Sequence, residues 1–196
     1  PARLYNNLLF LVVGNLIGAL GCYVLELKSR EYFLVSRLMS VLAHQDSLTG
    51  LHNRRSFDRV LARLWRQAQR EERTLALLLC DVDHFKAYND RYGHKAGDQA
   101  LQQVGAVLLE AARRPLDLAV RLGGEEFAVL LYDIAPEEAR QRAEVLRQAV
   151  EARAIAHEAS LTAPVLTLSI GLCCLQPGNQ QTPDSLFEHA DRALYE

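Results

Sequence analysis

Residues 121–131 read RLGGEEFAVLL, and this stretch constrains the fold more than any other. Gly123 and Gly124, followed by Glu125 and Glu126, lie between β-forming runs. That is the pattern of a tight hairpin carrying carboxylates at its tip. Taken alone, acids on a turn are commonly just solvated, so the pattern acquires meaning only with the rest of the chain.

Upstream, Leu77-Leu-Leu-Cys-Asp-Val-Asp-His-Phe-Lys86 is an apolar strand that stops at Asp81 and Asp83, with Lys86 close behind. Carboxylates from two strand ends, brought side by side, form an oxygen-rich site of the kind that holds Mg²⁺ against phosphates. The surrounding pattern alternates helix and strand. Helices are expected at Ser56–Glu72, Gly97–Arg114, Pro136 to about Ala159, and from Thr182 onward; strands at Thr74–Val82, Leu118–Leu122, Phe127–Tyr132 and Val165–Leu175. Strands packed against helices give an α/β (α+β) sandwich.

The 196 residues suffice for one ordinary domain and a modest appendage. With 22 basic and 24 acidic residues the net charge is −2, so no global attraction to nucleic acid exists, and an anionic ligand must be held locally. Cys22, Cys80, Cys173 and Cys174 show no metal spacing and read as reduced, packed residues of a cytoplasmic domain.

From Leu4 to Leu25 the chain carries no charge. At about 1.5 Å per residue the run spans roughly 33 Å, enough for a hydrocarbon core of about 30 Å, so a transmembrane helix is expected over 4–25. Asn6, Asn7 and Asn15, with the Gly14/Gly18 pair, suggest contact with other helices. Lys28, Arg30 and Arg37 follow the run and place the remainder in the cytoplasm. Residues 26–45 lack Pro and Gly and read as a helical connector, either a two-stranded coiled coil or an ordinary amphipathic helix. The domain then occupies 46–196. Pro1 in place of Met, and an end at Tyr195-Glu196 within an expected helix, imply a piece of a longer protein.

Five segments coincide with one family. Asp46-Ser-Leu-Thr-Gly-Leu-His-Asn-Arg-Arg55, Asp81-Val-Asp-His-Phe-Lys86, Asn89-Asp-Arg-Tyr-Gly-His94 through Gly97-Asp98, Arg121-Leu-Gly-Gly-Glu-Glu-Phe127 and Thr167-Leu-Ser-Ile-Gly171 resemble, in order, the GGDEF domain of diguanylate cyclases, here in its GGEEF form. The resemblance implies a fold similar to class III nucleotidyl cyclases and polymerase palms. It implies condensation of two GTP molecules to cyclic di-GMP by a homodimer at the inner membrane of a bacterium, with Mg²⁺ as cofactor and Mn²⁺ as an alternative.

The resemblance also implies roles. Asp81, Glu125 and the Val82 carbonyl would hold the metal, and Glu125 would take the proton from the attacking hydroxyl. Lys86 and the amides around His84 and Phe85 would contact phosphate. Asn89 and Asp98 would read guanine, with His94 framing the nucleotide. Arg114 and Asp117 match the RxxD inhibitory site that binds cyclic di-GMP. The family's phosphate-clamping Lys and Arg would follow Ala190-Asp-Arg-Ala-Leu-Tyr195, where this chain stops. The competing expectation is a catalytically silent cyclic di-GMP receptor.

Overall fold

The structure, a computed structural model, describes residues 2–42, 44–178 and 180–195; within the first range, side chains are described for 14–35 only. It divides into two compact units, 1–43 and 44–196.

The first unit is one helix, α1 (Ala2–Leu42). It runs without interruption through the boundary expected between membrane span and connector. Among the described residues no helix is long and apolar enough to cross a membrane. The transmembrane helix expected over 4–25 is therefore not borne out. Residues 4–13 of that run lie outside those whose side chains are described, and from Gly14 onward the helix soon meets Glu26, Lys28, Arg30 and Glu31. These last four pair along the helix, Arg30 with Glu26 at 2.6 Å and Lys28 with Glu31 at 2.9 Å. A Cβ built on Gly14 or Gly18 meets nothing described within 4 Å.

The second unit is a three-layer sandwich whose sheet runs in the order β1-β3-β4-β2-β5: β1 (His52–Asn53), β2 (Leu75–Val82), β3 (Leu118–Gly123), β4 (Glu126–Tyr132) and β5 (Leu168–Leu175). Only β1 pairs in parallel, with β3; the other pairs are antiparallel. The central strand β2 explains its own sequence. Covered on both faces, it reads as a near-continuous apolar run. Leu75, Leu77 and Leu79 pack with Phe57, Leu61, Leu64 and Trp65 of α2 (Arg54–Glu71) and with Leu186 and Ala190 of α6 (Pro183–Tyr195). Leu78, Cys80 and Val82 face Phe85 and Tyr88 of α3 (Phe85–Tyr92), Leu101, Val104 and Leu108 of α4 (His94–Ala111), and Leu146 and Val150 of α5 (Pro136–Glu151). Each fully buried leucine contributes about 2 kcal/mol. Several of them in β2 hold its acidic end, Asp81, where solvation alone would not place a carboxylate.

The expected helix–strand alternation stands, with differences at several places. Helix α3 was not expected, because its eight residues are too few for apolar periodicity to register. Helix α4 ends at Ala111 rather than Arg114. Helix α5 ends at Glu151 rather than near Ala159, since the chain turns at Ala154 (φ 51°) and pairs Ala156 with Val165. The β1 strand, two residues long, carries no sequence signal of its own.

Candidate active site and the family it defines

The tip of the β3–β4 hairpin requires its glycines. Gly123 and Gly124 have φ of 152° and 54°, backbone that side-chain-bearing residues resist. The register shifts between Arg121 and Gly123, leaving Gly123 opposite Glu126. The turn lies against the end of β2: Asp81 is paired with Glu126, and the Val82 N–H donates to the Glu125 carbonyl at 3.4 Å.

Two carboxylates expected to act together are therefore brought together. Asp81 is half-buried, and burial, followed by the charges of Glu125, Glu126 and Asp83, pushes its carboxyl up to about 6. Negative charge is concentrated there, and no ion pair with a cation is made by these acids among the described residues. Asp83, by contrast, is fully engaged: Oδ2 accepts from Thr167 Oγ1 at 2.5 Å, Oδ1 from Ser169 Oγ at 2.6 Å, and its N–H donates to the Thr167 carbonyl at 3.1 Å. Of the two acids ending the strand, the first faces the acidic cluster and the second ties the following turn to the start of β5.

The donor set decides what metal would fit. Among the described residues no group of three or more His, Cys, Asp or Glu side chains is disposed to hold an ion. Two carboxylates and a backbone carbonyl suit Mg²⁺, which keeps several waters and completes its octahedron with substrate phosphates rather than in an all-protein cage. The expected ligands Asp81, Glu125 and Val82 fit an ion that arrives with a nucleotide.

Beyond Asp83 the chain turns at His84 (φ 54°, ψ 29°) and enters α3. Phe85 and Lys86 are the first residues of that helix, so their amides lack intrahelical partners and form an anion-binding end. Phe85 is buried and stacked on Tyr88 at 6.1 Å, whereas Lys86 is exposed and available to a phosphate.

Asn89 projects from α3 onto Gly97 of α4, where an added Cβ would run into its side chain. Its Oδ1 is buried without a hydrogen-bond partner among the described residues. Asp98 follows Gly97 and is exposed, as is His94 at the first position of α4. Asn89, His94 and Asp98 thus all lie on the α3–α4 pair.

One element was not anticipated. Arg121 donates from Nε and Nη2 to the Gly124 carbonyl at 3.0 and 2.8 Å, and from Nη1 to Asp46 Oδ1 at 3.0 Å. Asp46 also accepts from the Thr49 amide at 2.9 Å and hydroxyl at 2.8 Å. Burial would raise the Asp46 carboxyl, but Thr49 and Arg121 outweigh it and leave the pKa lowered. The segment opening the domain is thus tied to the acidic turn by one guanidinium. Asp46, Thr49 and Arg121 stand within the family segments quoted above, yet only the folded chain discloses this bridge.

Arg114 and Asp117 lie at the other end of the hairpin, roughly 20 Å from the turn at ~3.3 Å per residue. Their charges are paired within the protein. Arg114 binds Glu138 at 2.6 Å; Arg142 binds both Glu138 at 3.1 Å and Asp117 at 3.2 Å; Asp117 Oδ1 accepts from the Tyr132 amide at 3.3 Å. Burial raises the Asp117 carboxyl against the opposing pull of the Tyr132 amide and of Arg142 and Arg114. Glu138 and Arg142, both from α5, were not singled out by sequence, because the RxxD spacing says nothing about a helix arriving from 20 residues later.

Comparison with known proteins agrees with this geometry. Residues 43–196 match the family described as diguanylate cyclase, GGDEF domain. The chain belongs to that family. It is 40% identical over 154 residues to the diguanylate cyclase TpbB of Pseudomonas aeruginosa, covering 78% of this chain and 34% of that protein. It is 36% identical over 195 residues to an uncharacterized membrane protein of Staphylococcus aureus, covering 100% of this chain and 54% of that one. The crystal structure of the coiled coil and GGDEF domain of DgcB from Caulobacter crescentus, in complex with c-di-GMP, superposes with a TM-score of 0.77 at 31% identity, over 90% of this chain and 92% of that chain. The chain spans between a third and about half of the length of these curated relatives.

Proposed function

We propose that this chain is the catalytic portion of a diguanylate cyclase that condenses two GTP molecules into cyclic di-GMP and two pyrophosphates. The observation that carries this reading is the uncompensated acid pair Asp81 and Glu125 beside the free amide end of α3. A divalent ion, Mg²⁺ or Mn²⁺, would supply charge neutralisation at the phosphates when bound. The chain's own residues do the rest. Asp81, Glu125 and the Val82 carbonyl hold the ion. The amides of Phe85 and Lys86 and the Lys86 ammonium take the phosphate oxygens, and Asn89 and Asp98 accept the N–H edge that guanine has and adenine lacks. Glu125 takes the proton of the 3′-hydroxyl as it attacks the α-phosphate of the partner's nucleotide.

Each domain offers one nucleotide site, so a homodimer is needed to align two substrates. Helix α1, whose Leu16, Ile17, Leu20, Tyr23, Val24 and Leu27 are all exposed, offers an apolar surface for pairing. Arg114 and Asp117 form the product-binding inhibitory site. We place the enzyme at the inner membrane of a bacterium with the domain in the cytoplasm, on the relative named as a membrane protein. Fractionation of the whole chain tests that placement, and recovery in the soluble fraction would overturn it.

The decisive test incubates the purified protein with GTP and Mg²⁺ and resolves cyclic di-GMP by chromatography, with Glu125→Ala as control. Product that disappears in the control is expected. No product, with saturable cyclic di-GMP binding lost in Arg114→Ala, would make the chain a receptor instead.

A further inference from the structure

His157 lies in the loop between α5 and β5 and is 0% exposed. Its Nε2 stands 3.2 Å from the His84 carbonyl. A carbonyl can only accept, so the ring carries a proton on Nε2, while Nδ1 has no hydrogen-bond partner among the described residues. The ring meets Tyr88 edge-on at 5.1 Å, which fixes its plane.

The carbonyl it holds belongs to a demanding peptide. His84 is a non-glycine residue in left-handed backbone, and its carbonyl also accepts the first bond of α3, from the Tyr88 amide at 3.1 Å. Such a conformation persists only where its surroundings enforce it. The same loop supplies more of that enforcement: Thr162 Oγ1 lies 3.2 Å from His84 Nε2, and Glu158 meets Arg91 at 2.8 Å and the Tyr92 hydroxyl through its amide at 3.0 Å. The loop itself is braced by bonds from the His157 amide to the Pro164 carbonyl at 2.8 Å and from the Leu166 amide to the Ile155 carbonyl at 2.8 Å.

We infer that His157 is a positioning residue for nucleotide binding: its Nε2–H clamps the His84 peptide and so aims the amide end of α3 at the substrate phosphates. The clamp itself is a matter of hydrogen bonding within this chain; its consequence for GTP rests on the cyclase reading above. The role requires a donor at the end of the side chain and asks nothing of Nδ1. Gln presents an N–H₂ at nearly the same reach, whereas Leu fills the space without a donor.

The test compares wild type, His157→Gln and His157→Leu in the whole chain. It measures the dissociation constant for a fluorescent GTP analogue with Mg²⁺, the melting temperature, and hydrogen exchange at the Asp83 and Tyr88 amides. Losing one well-made hydrogen bond predicts about a fivefold to tenfold weaker nucleotide affinity and faster exchange at both amides in His157→Leu. His157→Gln should stay within about twofold of wild type on both readouts. If the two variants lower the melting temperature alike and leave nucleotide affinity unchanged, His157 is packing alone and the inference falls. If wild type binds no nucleotide, the cyclase reading fails by itself; unchanged exchange in His157→Leu would then overturn the clamp, and accelerated exchange would uphold it.

Discussion

The two ends of the β3–β4 hairpin handle charge in opposite ways. At the turn, Asp81, Glu125 and Glu126 gather with no cation paired to them among the described residues, and Arg121 nearby is spent on Asp46 and the Gly124 carbonyl. At the far end, Arg114, Glu138, Arg142 and Asp117 pair among themselves at 2.6 to 3.2 Å. An uncompensated cluster binds a cation with little rearrangement. A network already paired within the protein offers a ligand groups whose charge is partly neutralised, so its ligands compete with the protein's own side chains.

The largest expected effect breaks the first end. Asp81→Asn should lower cyclic di-GMP formation by on the order of 10³-fold, because a metal-holding charge is lost where phosphate charge develops. The same change should stabilise the metal-free protein. The raised Asp81 pKa marks a cost, first of burying the charge and then of facing like charges, that the amide removes, worth about 1 kcal/mol once discounted for partial exposure, or roughly 3 °C in Tm. Thermal melting in chelator checks the sign. A lower Tm would mean that the carboxylate is structurally bonded and that the contrast between the two ends is wrong.

Next comes the closed end. Arg142→Ala strands the Asp117 carboxylate, whose side chain is 0% exposed, and should lower stability by about 3 kcal/mol. Asp117→Asn in that background should recover most of the loss, since a neutral amide needs no counter-charge. Denaturant melts of the two single variants and the double variant measure the coupling. Additive losses would show that the pair is not the unit it looks to be.

The bridge between domain entry and turn should give a smaller effect with a definite pH signature. The folded pKa of Asp46 lies below its usual 3.8, so its stabilising contribution is fully present above that value and is lost as pH falls through the lower folded value. Asp46→Asn should therefore reduce stability by about 1 kcal/mol at neutral pH and by less in strong acid, where wild type has lost the same interaction. Urea midpoints at pH 7 and pH 3 check this. A constant difference would place the effect in Thr49 geometry instead of charge.

How far the sequence foretold this molecule depended on the range of the interaction. The GGEE hairpin, the apolar β2 strand and the amphipathic α2 follow from neighbours two to four residues apart, and all stand where expected. Asp81 and Glu125 could be paired on paper because both end strands of one sheet. Arg121 and Asp46 are 75 residues apart. His157 and His84 are 73 apart. Periodicity carries no information at such separations. Helix α3 was missed for the opposite reason, being too short to show a period. The RxxD spacing singled out Arg114 and Asp117 but not the α5 residues paired with them, since helix α5 chooses its register by packing Ala139, Leu146 and Val150 into the core.

The smallest expected effect sharpens the contrast from the closed side. Glu138 holds Arg114 at 2.6 Å, and both side chains are nearly half exposed, so the pair adds little to stability. Its consequence is competitive: the carboxylate occupies Arg114 Nη2 and partly neutralises the guanidinium that an incoming phosphate or guanine edge would meet. Removing that carboxylate in Glu138→Ala should tighten cyclic di-GMP binding by about threefold, the equivalent of one exposed ion pair, with Tm nearly unchanged. Calorimetric titration of both proteins with the dinucleotide gives the answer. Weaker binding in the variant would make Glu138 itself an acceptor for guanine, and the closed network would then be a preassembled half of the inhibitory site rather than its competitor.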